Sequence, residues 1–503
     1  MNVVEASIKR SDQVRSLDHL YAGIQVDKQK VHIHPNHLFY RLIAIVQREE
    51  DMAPYFGYEL TAMPTSLFKD NVMRKSVKSQ LAQALGNAVQ PSAEKAQAMH
   101  VLDGGALIHR VKWLKKVTYK DITMQYVNYV RARYGECCIV FDGYEQGPSI
   151  KDHEHQRRVG KTCADIQLSE STKAHSDQKA FLSNEKNKNQ FITLVSQCLE
   201  ADGHIVHTST GDADTLIVEC ALQFARQGRE VSVVADDTDV LVLLMYHWNQ
   251  NMADVYFHSE AKRSKKGLKV WKIQDLVKKA GKLVTSHLLF IHAWRGCDTT
   301  SATYGHGKTS LLKKIQQSEE LQQISLLMTD PEATVEQIGK AGIRLYVILY
   351  GGRVDDSLNS LRYAKYMEMV STSKTTIDPQ KLPPTERAAY FHSLRVHLQV
   401  ILWFKLTNKN LDPLQWGWKL ADTILTPVLT DLDAAPESLL KFVRCKCKLS
   451  TRNPCGNNSC SCRKHGLECV TACGNCRGES CQNSEEVTLD DEDSVYTEEE
   501  IVF

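Results

Sequence analysis

Apolar positions along the chain change period several times, and each change marks an element. From Leu216 to Phe224 they recur at helical spacing, Gly228 follows as a C-terminal stop, and a short β-branched run, Val231 to Val234, comes next. This reads as helix, glycine cap and buried strand. His100 to Asp103 and Cys137 to Phe141 have the look of short buried strands, and Ile205 to Thr208 of another. Thr118-Tyr-Lys-Asp121 offers a capping-box start to a helix running to about Arg133. Phe191 to Leu199 and Ser286 to Arg295 read as helices, and Val255 to His258 against Leu268 to Trp271 as a hairpin. Ala62 to Val89 has helical character and breaks at Gln90-Pro91-Ser92, whereas Val240 to Met245 is one uninterrupted apolar run. Residues 310–440 read as largely helical, interrupted near Leu382-Pro383-Pro384. Strands alternating with helices predict an α/β fold, a mostly parallel sheet with helices on both faces.

The ends of those strands carry the chemistry. Asp103, Asp142 and Asp237 each follow a predicted strand, and Asp212, Asp214 and Asp239 sit beside the helix–strand unit 211–239. In an open α/β sheet, ligands bind outside the carboxyl ends of the strands, so these acids could meet at one rim. Two carboxylates about 4 Å apart repel by roughly 4 kcal/mol at an effective dielectric near 20. A cluster of them calls for protonation or a cation, and all-oxygen donors suit Mg²⁺ or Mn²⁺. The alternative is that Asp212 caps a helix while Asp237 and Asp239 sit in solvated turns.

Composition narrows the class. At 503 residues, 42% hydrophobic and 24% charged, the sequence is that of a soluble globular protein of several domains. No apolar run approaches a membrane span and Met1 to Tyr21 lacks a signal-peptide core, so the expectation is a chain kept in the cytosol or nucleus, with no membrane partner. The net charge of +2 hides an asymmetry, because residues 484–503 carry nine acidic side chains and no Lys or Arg, leaving +11 on residues 1–483. A basic body suits a polyanion partner. The tip Lys262 to Lys266 (KRSKK) has the composition of a nuclear-import signal.

The acidic positions match a known pattern. Val101-Leu-Asp103, IVFDG with Asp142, Asp212-Ala-Asp214, DDTD with Asp237 and Asp239, and GCD with Asp298 resemble the blocks of flap endonuclease-type 5′ nucleases, of the PIN-like fold. The resemblance covers about residues 98–312 and implies a site of two Mg²⁺ or Mn²⁺ ions held by Asp103, Asp142, Asp212, Asp214, Asp237, Asp239 and Asp298. Within it, Asp103, Asp142, Asp214 and Asp237 are expected as direct ligands and the other three as acting through water. Lys151 and Arg158 resemble the family's basic pair at the scissile phosphate. Gly305-x-Gly307-Lys308 is similar to its helix–hairpin–helix loop, which grips a duplex phosphate. The first acidic pair is Asp-Asp where the family usually has Glu-Glu, and His306 stands between the glycines where the family usually has an apolar residue.

Nine of the fifteen cysteines fall in the last part of the chain: Cys445, Cys447, Cys455, Cys460, Cys462, Cys469, Cys473, Cys476 and Cys481. Dense C-x-C and C-x2-C spacing in a reducing compartment signals zinc. Nine thiolates do not divide into separate four-ligand sites; either thiolates are shared or one is left over. The other six cysteines are expected in the core. Residues 441–483 carry eight Lys/Arg against two Glu. The segment resembles the CXC domain of tesmin/TSO1-type DNA-binding proteins, which implies two or three zinc ions and nucleic-acid contacts by Lys446, Lys448, Arg452, Arg463 and Lys464.

The expected organisation is a helical extension (1–97), a nuclease core (98–312), a helical connector (313–440), a zinc module (441–483) and an acidic tail (484–503). The expected activity is metal-dependent hydrolysis of DNA in the nucleus, DNA being favoured over RNA. The same combination of blocks resembles animal proteins associated with mobile elements, so a catalytically silent DNA-binding scaffold and an RNA-directed nuclease stay open as alternatives.

Overall fold

The computed structural model describes residues 23–26, 29–46, 48, 51–76, 98–143, 147–151, 163–175, 177–209, 213–259, 269–372, 377–404, 411–448, 453–470, 472–478 and 481–484. The KRSKK tip and the Gln90-Pro91-Ser92 break lie outside them. The chain forms two compact units, one of residues 66–431 and one built from both terminal parts, 1–65 and 432–503.

The larger unit is built on a six-stranded sheet. Its strands are β1 (Met99–Asp103), β2 (Cys137–Phe141), β3 (Ile205–Thr208), β4 (Val231–Val234), β5 (Val255–Ser259) and β6 (Lys269–Lys272). They lie in the order β6-β5-β4-β1-β2-β3. Every pairing is parallel except β6 against β5. The apolar residues of β1, β2 and β4 are all buried, as in strands covered on two faces.

Side-chain alternation separates those faces. Cys137, Ile139 and Phe141 of β2 point into a core with α1 (Gly104–Arg110), α2 (Tyr119–Tyr134) and α3 (Glu185–Ala201). Cys138, on the opposite face, hydrogen-bonds to Cys220 of α4 (Ala213–Arg226). Helix α2 starts as its sequence dictates, with Thr118 and Asp121 in a reciprocal capping box. The run Val240 to Met245 is the buried body of a helix, α5 (Thr238–His247), which is enclosed all round and so shows no amphipathic period. Two helices follow, α6 (Ile273–Ser286) and α7 (Leu288–Trp294), and every residue of α7 is buried. Helix α8 (Lys308–Gln317) then starts at Gly307.

Residues 319–404 supply four further helices: Glu319–Met328, Val335–Leu349, Leu358–Thr372 and Glu386–Phe404. A small hairpin closes the unit, and Trp403, Trp416 and Trp418 are buried as packing residues.

The helical expectation for Ala62 to Val89 needs correcting over its described part. Residues 62–76 form turns and a tight hairpin, Phe68–Lys69 against Val72–Met73. Asp70 and Asn71 both take positive φ, as a hairpin turn of this type requires and as these two residue types tolerate. Buried Leu67, Phe68 and Met73 supply the apolar positions that mimic helical spacing.

The smaller unit holds the strand pair Gly23–Val26 with Gln29–His32, a helix Pro35–Ile45, and the cysteine-rich segment. The Leu60 N–H donates to the Ala434 carbonyl (2.9 Å), joining the unit's two sequence-distant halves.

Candidate metal centres

β4, β1 and β2 are neighbours, and their carboxyl ends carry Asp237, Asp103 and Asp142. Asp103 is the last residue of β1 and caps α1, its Oδ1 accepting from the Ala106 N–H (3.0 Å). Asp142 follows β2 directly, and its Oδ1 accepts from the Ala213 N–H (3.1 Å) at the start of α4. This brings the first turn of α4, with Asp214, to the end of β2. Asp237 caps α5 by accepting from the Asp239 N–H (3.0 Å).

Two groups of carboxylates result. A Cβ placed on Gly105 would lie 3.1 Å from Asp103 Oδ1 and 3.2 Å from Asp142 Oδ2, so both acids face the gap that this glycine leaves. Oxygens of Asp214, Asp237 and Asp239 lie within 4.8 Å of one another. The Asp142–Ala213 bond ties one group to the other. Burial, with the charge of Asp142 added, pushes the Asp103 carboxyl up to about 6. Convergent, part-desolvated carboxylates of this kind fit hard divalent cations and little else.

Neighbouring side chains steady the cluster. Asp239 is buried, and His292 of α7, fully buried and beside the Trp403 ring, places Nε2 2.7 Å from Asp239 Oδ1. Asp236 holds Arg110 (3.1 Å) and accepts from Ser259 Oγ (3.3 Å), so the first acid of DDTD belongs to an ion pair. Asp298 pairs with Lys75 Nζ at 3.6 Å. It follows Cys297, a buried thiol pushed up by burial and by nearby Asp239. Lys151 closes the described part of the segment after β2, and Asp212 and Arg158 lie outside the described residues.

Sequence reasoning passed over His292, Asp236 and Lys75. A single histidine inside the apolar run of α7 is the one local signal that could have found His292.

Gly305 has φ +72, and α8 begins directly after Gly307. Nothing is described of the Lys308 side chain. His306 packs against Tyr350 with the rings tilted (centroids 4.6 Å apart), and burial holds its pKa down at about 4. It is therefore neutral near pH 7 and packs as an apolar residue would. The loop lines one side of a groove of about 440 Å³, and Lys69, Arg74 and Lys75 stand among the residues of the other.

In the smaller unit the cysteines gather into one cluster. Their Sγ atoms lie 3.6–3.9 Å apart: Cys445 to Cys455, Cys469 and Cys476, Cys460 to Cys469, and Cys462 to Cys473. A disulfide is about 2.05 Å, and none is present among the described cysteines. The edge of a tetrahedron with Zn–S bonds of about 2.3 Å is about 3.8 Å, so the spacing fits zinc. Three overlapping four-thiol groups can be drawn: Cys445, Cys455, Cys460 and Cys469; Cys445, Cys469, Cys473 and Cys476; and Cys455, Cys469, Cys476 and Cys481. Cys447 joins the cluster through thiol hydrogen bonds to Cys455 and Cys460. Of the basic residues expected at nucleic acid, Lys446, Lys448 and Lys464 are described and Arg452 is not. Arg463 donates to the Cys455 carbonyl (2.9 Å) and to that of Gln482, and so braces the cluster.

No family model and no curated protein matches the chain. Among solved structures it is similar to the catalytic core of Rad2 in complex with DNA substrate, at 12% identity and TM-score 0.32, covering 63% of this chain and 93% of that one. It is also similar to the T5 D15 protein co-crystallised with metal ions (11% identity, TM-score 0.33, 61% and 90%). Human GEN1 in complex with Holliday junction DNA is a third (11%, TM-score 0.31, 66% and 80%). At such scores these likenesses carry no weight for the site, which stands on its own side chains.

Proposed function

We propose that the chain is a metal-dependent nuclease that hydrolyses phosphodiester bonds in DNA, and that its cysteine cluster is a zinc–thiolate module for DNA binding. The observation that carries this is the gathering of Asp103, Asp142, Asp214, Asp237 and Asp239 at the carboxyl ends of adjoining strands. Asp103, Asp142, Asp214 and Asp237 hold two Mg²⁺ or Mn²⁺ ions, with Asp212, Asp239 and Asp298 as outer members. Such ions supply an activated water and charge neutralisation at the phosphate. The side chains place and orient. His292 fixes the Asp239 carboxylate, and the Asp142–Ala213 bond locks α4, and Asp214 with it, against β2. Lys151 and Arg158 offset charge on the transferring phosphate. The glycine loop and the adjoining basic groove receive the duplex backbone. The cysteines would hold two or three zinc ions, and the zinc-braced segment would present Lys446, Lys448 and Lys464 to phosphates; the working compartment is the nucleus.

The test is a cleavage panel of branched, duplex and single-stranded DNA and RNA with Mg²⁺, Mn²⁺ or EDTA, run on wild type, Asp103→Ala and Asp237→Ala. Cleavage that needs the metal and vanishes in both variants supports the assignment. Undiminished cleavage by both variants refutes it. Binding without cleavage by wild type identifies a silent scaffold, and cleavage of RNA alone redirects the substrate.

A further inference from the structure

The helix Pro35–Ile45 buries Leu38, Phe39, Leu42 and Ile45, which accounts for its apolar face, but it also buries Arg41, only 4% exposed. That guanidinium is fully directed. Nε donates to the Val443 carbonyl (2.8 Å), Nη1 to the Glu468 carbonyl (2.7 Å) and Nη2 to Cys462 Sγ (2.9 Å). Cys462 lies 421 positions further along the chain, is itself fully buried, and sits 3.6 Å from Cys473 Sγ.

Removing a guanidinium from water is unfavourable unless an anion and further acceptors meet it. Here two carbonyls orient the fork, and the third partner is sulfur. A neutral thiol is a poor acceptor; a thiolate offers the charge. Nine thiolates also outnumber the charge that two or three Zn²⁺ bring, leaving roughly three to five net negative charges. A fixed internal cation offsets part of that excess.

We propose that Arg41 is an outer-sphere positioning residue of the metal–thiolate centre. It hydrogen-bonds to the Cys462 thiolate, balances charge, and ties together the segments that carry Val443 and Glu468. The cysteine-rich segment is therefore half of a metal centre that the residues around Arg41 complete. Being buried, Arg41 is no phosphate contact, so its loss acts on metal retention before it acts on DNA binding.

The inference rests on the reading that the cysteines hold zinc, and the experiment separates the two. Full-length wild type, Arg41→Lys and Arg41→Met are compared for zinc per chain, for the rate of zinc release to a chromogenic chelator, and for the sulfur-to-cobalt charge-transfer band after Co²⁺ substitution. Outer-sphere partners of metal ligands are worth about 10- to 100-fold in metal affinity. Zinc release from Arg41→Met should be faster within that range, with a shifted charge-transfer band, and Arg41→Lys, which keeps the charge but cannot make the fork, should fall between. If Arg41→Met does not fold, Arg41→Lys decides alone. Wild-type release and an unchanged band in the folded variants overturn the inference while the zinc reading stands. A wild-type chain without zinc removes both.

Discussion

Replacing His292 by Phe tests whether the acidic cluster is held in place from behind. The phenyl ring keeps a planar ring beside Trp403 in a fully buried position and removes both imidazole nitrogens, among them the one 2.7 Å from Asp239. A hydrogen bond to a charged group contributes about 1.5–3 kcal/mol. Without it the buried Asp239 carboxylate rotates away or takes up a proton, and in either case no longer orients the water of an ion held beside it by Asp214 and Asp237. That energy corresponds to roughly one to two decades in an equilibrium constant, the range seen when outer-sphere partners of metal ligands are removed. Mn²⁺ titrations followed by electron paramagnetic resonance should therefore show affinity reduced about 10- to 100-fold, with an unchanged circular dichroism spectrum. A folded His292→Phe chain that binds Mn²⁺ as wild type does would refute the reasoning, because the histidine would then be a packing residue whose contact with Asp239 is incidental.

Three further outcomes are expected. Burial holds Asp103 at about 6 in the folded chain, above an unfolded value of about 3.9. The stability this gives the metal-free protein is complete below the unfolded value and is lost, on the order of 3 kcal/mol, as pH rises through the folded one; Mn²⁺ affinity should climb with pH up to about 6 and then level, as calorimetry would record. Cys469 belongs to all three four-thiol groups and Cys481 to one, so Cys469→Ser should lose more zinc per chain than Cys481→Ser, measured by plasma mass spectrometry. Replacing Lys446, Lys448 and Lys464 by Glu should weaken duplex binding and lower the salt-dependence slope by about one for each phosphate contact removed, whereas Arg463→Glu should act through zinc loss, since Arg463 braces the cluster through the Cys455 and Gln482 carbonyls.

The parts of this molecule that were legible in sequence share one property: their causes are local. Val231 to Val234 reads as a strand because a β-branched run bounded by Gly228 and Asp236 has no other use, and it is one. Thr118 and Asp121 announce the start of α2 because both halves of the cap lie within one turn. A strand ending in Asp predicts an acid at the rim of the sheet, and Asp103 and Asp142 are there. Legibility ends where the cause is distant. Val240 to Met245 is a helix, but a run buried on every side has no period to reveal it. His292 reaches Asp239 across 53 positions and Arg41 reaches Cys462 across 421, and neither spacing leaves a trace in the intervening residues. The apolar pattern near Leu67 to Met73 misleads for a related reason, since the Asp70-Asn71 turn overrides a spacing that suits a helix.

Asp142 divides its two oxygens between two tasks. One receives the Ala213 amide and the other faces the Gly105 gap beside Asp103. A dication held at the second oxygen would fix the carboxylate in place, and with it the first oxygen on the Ala213 amide. Exchange of the Ala213 amide proton with deuterated water thus becomes a gauge of occupancy: slow when a dication loads the cluster, quicker when the cluster is bare, and readable without any substrate.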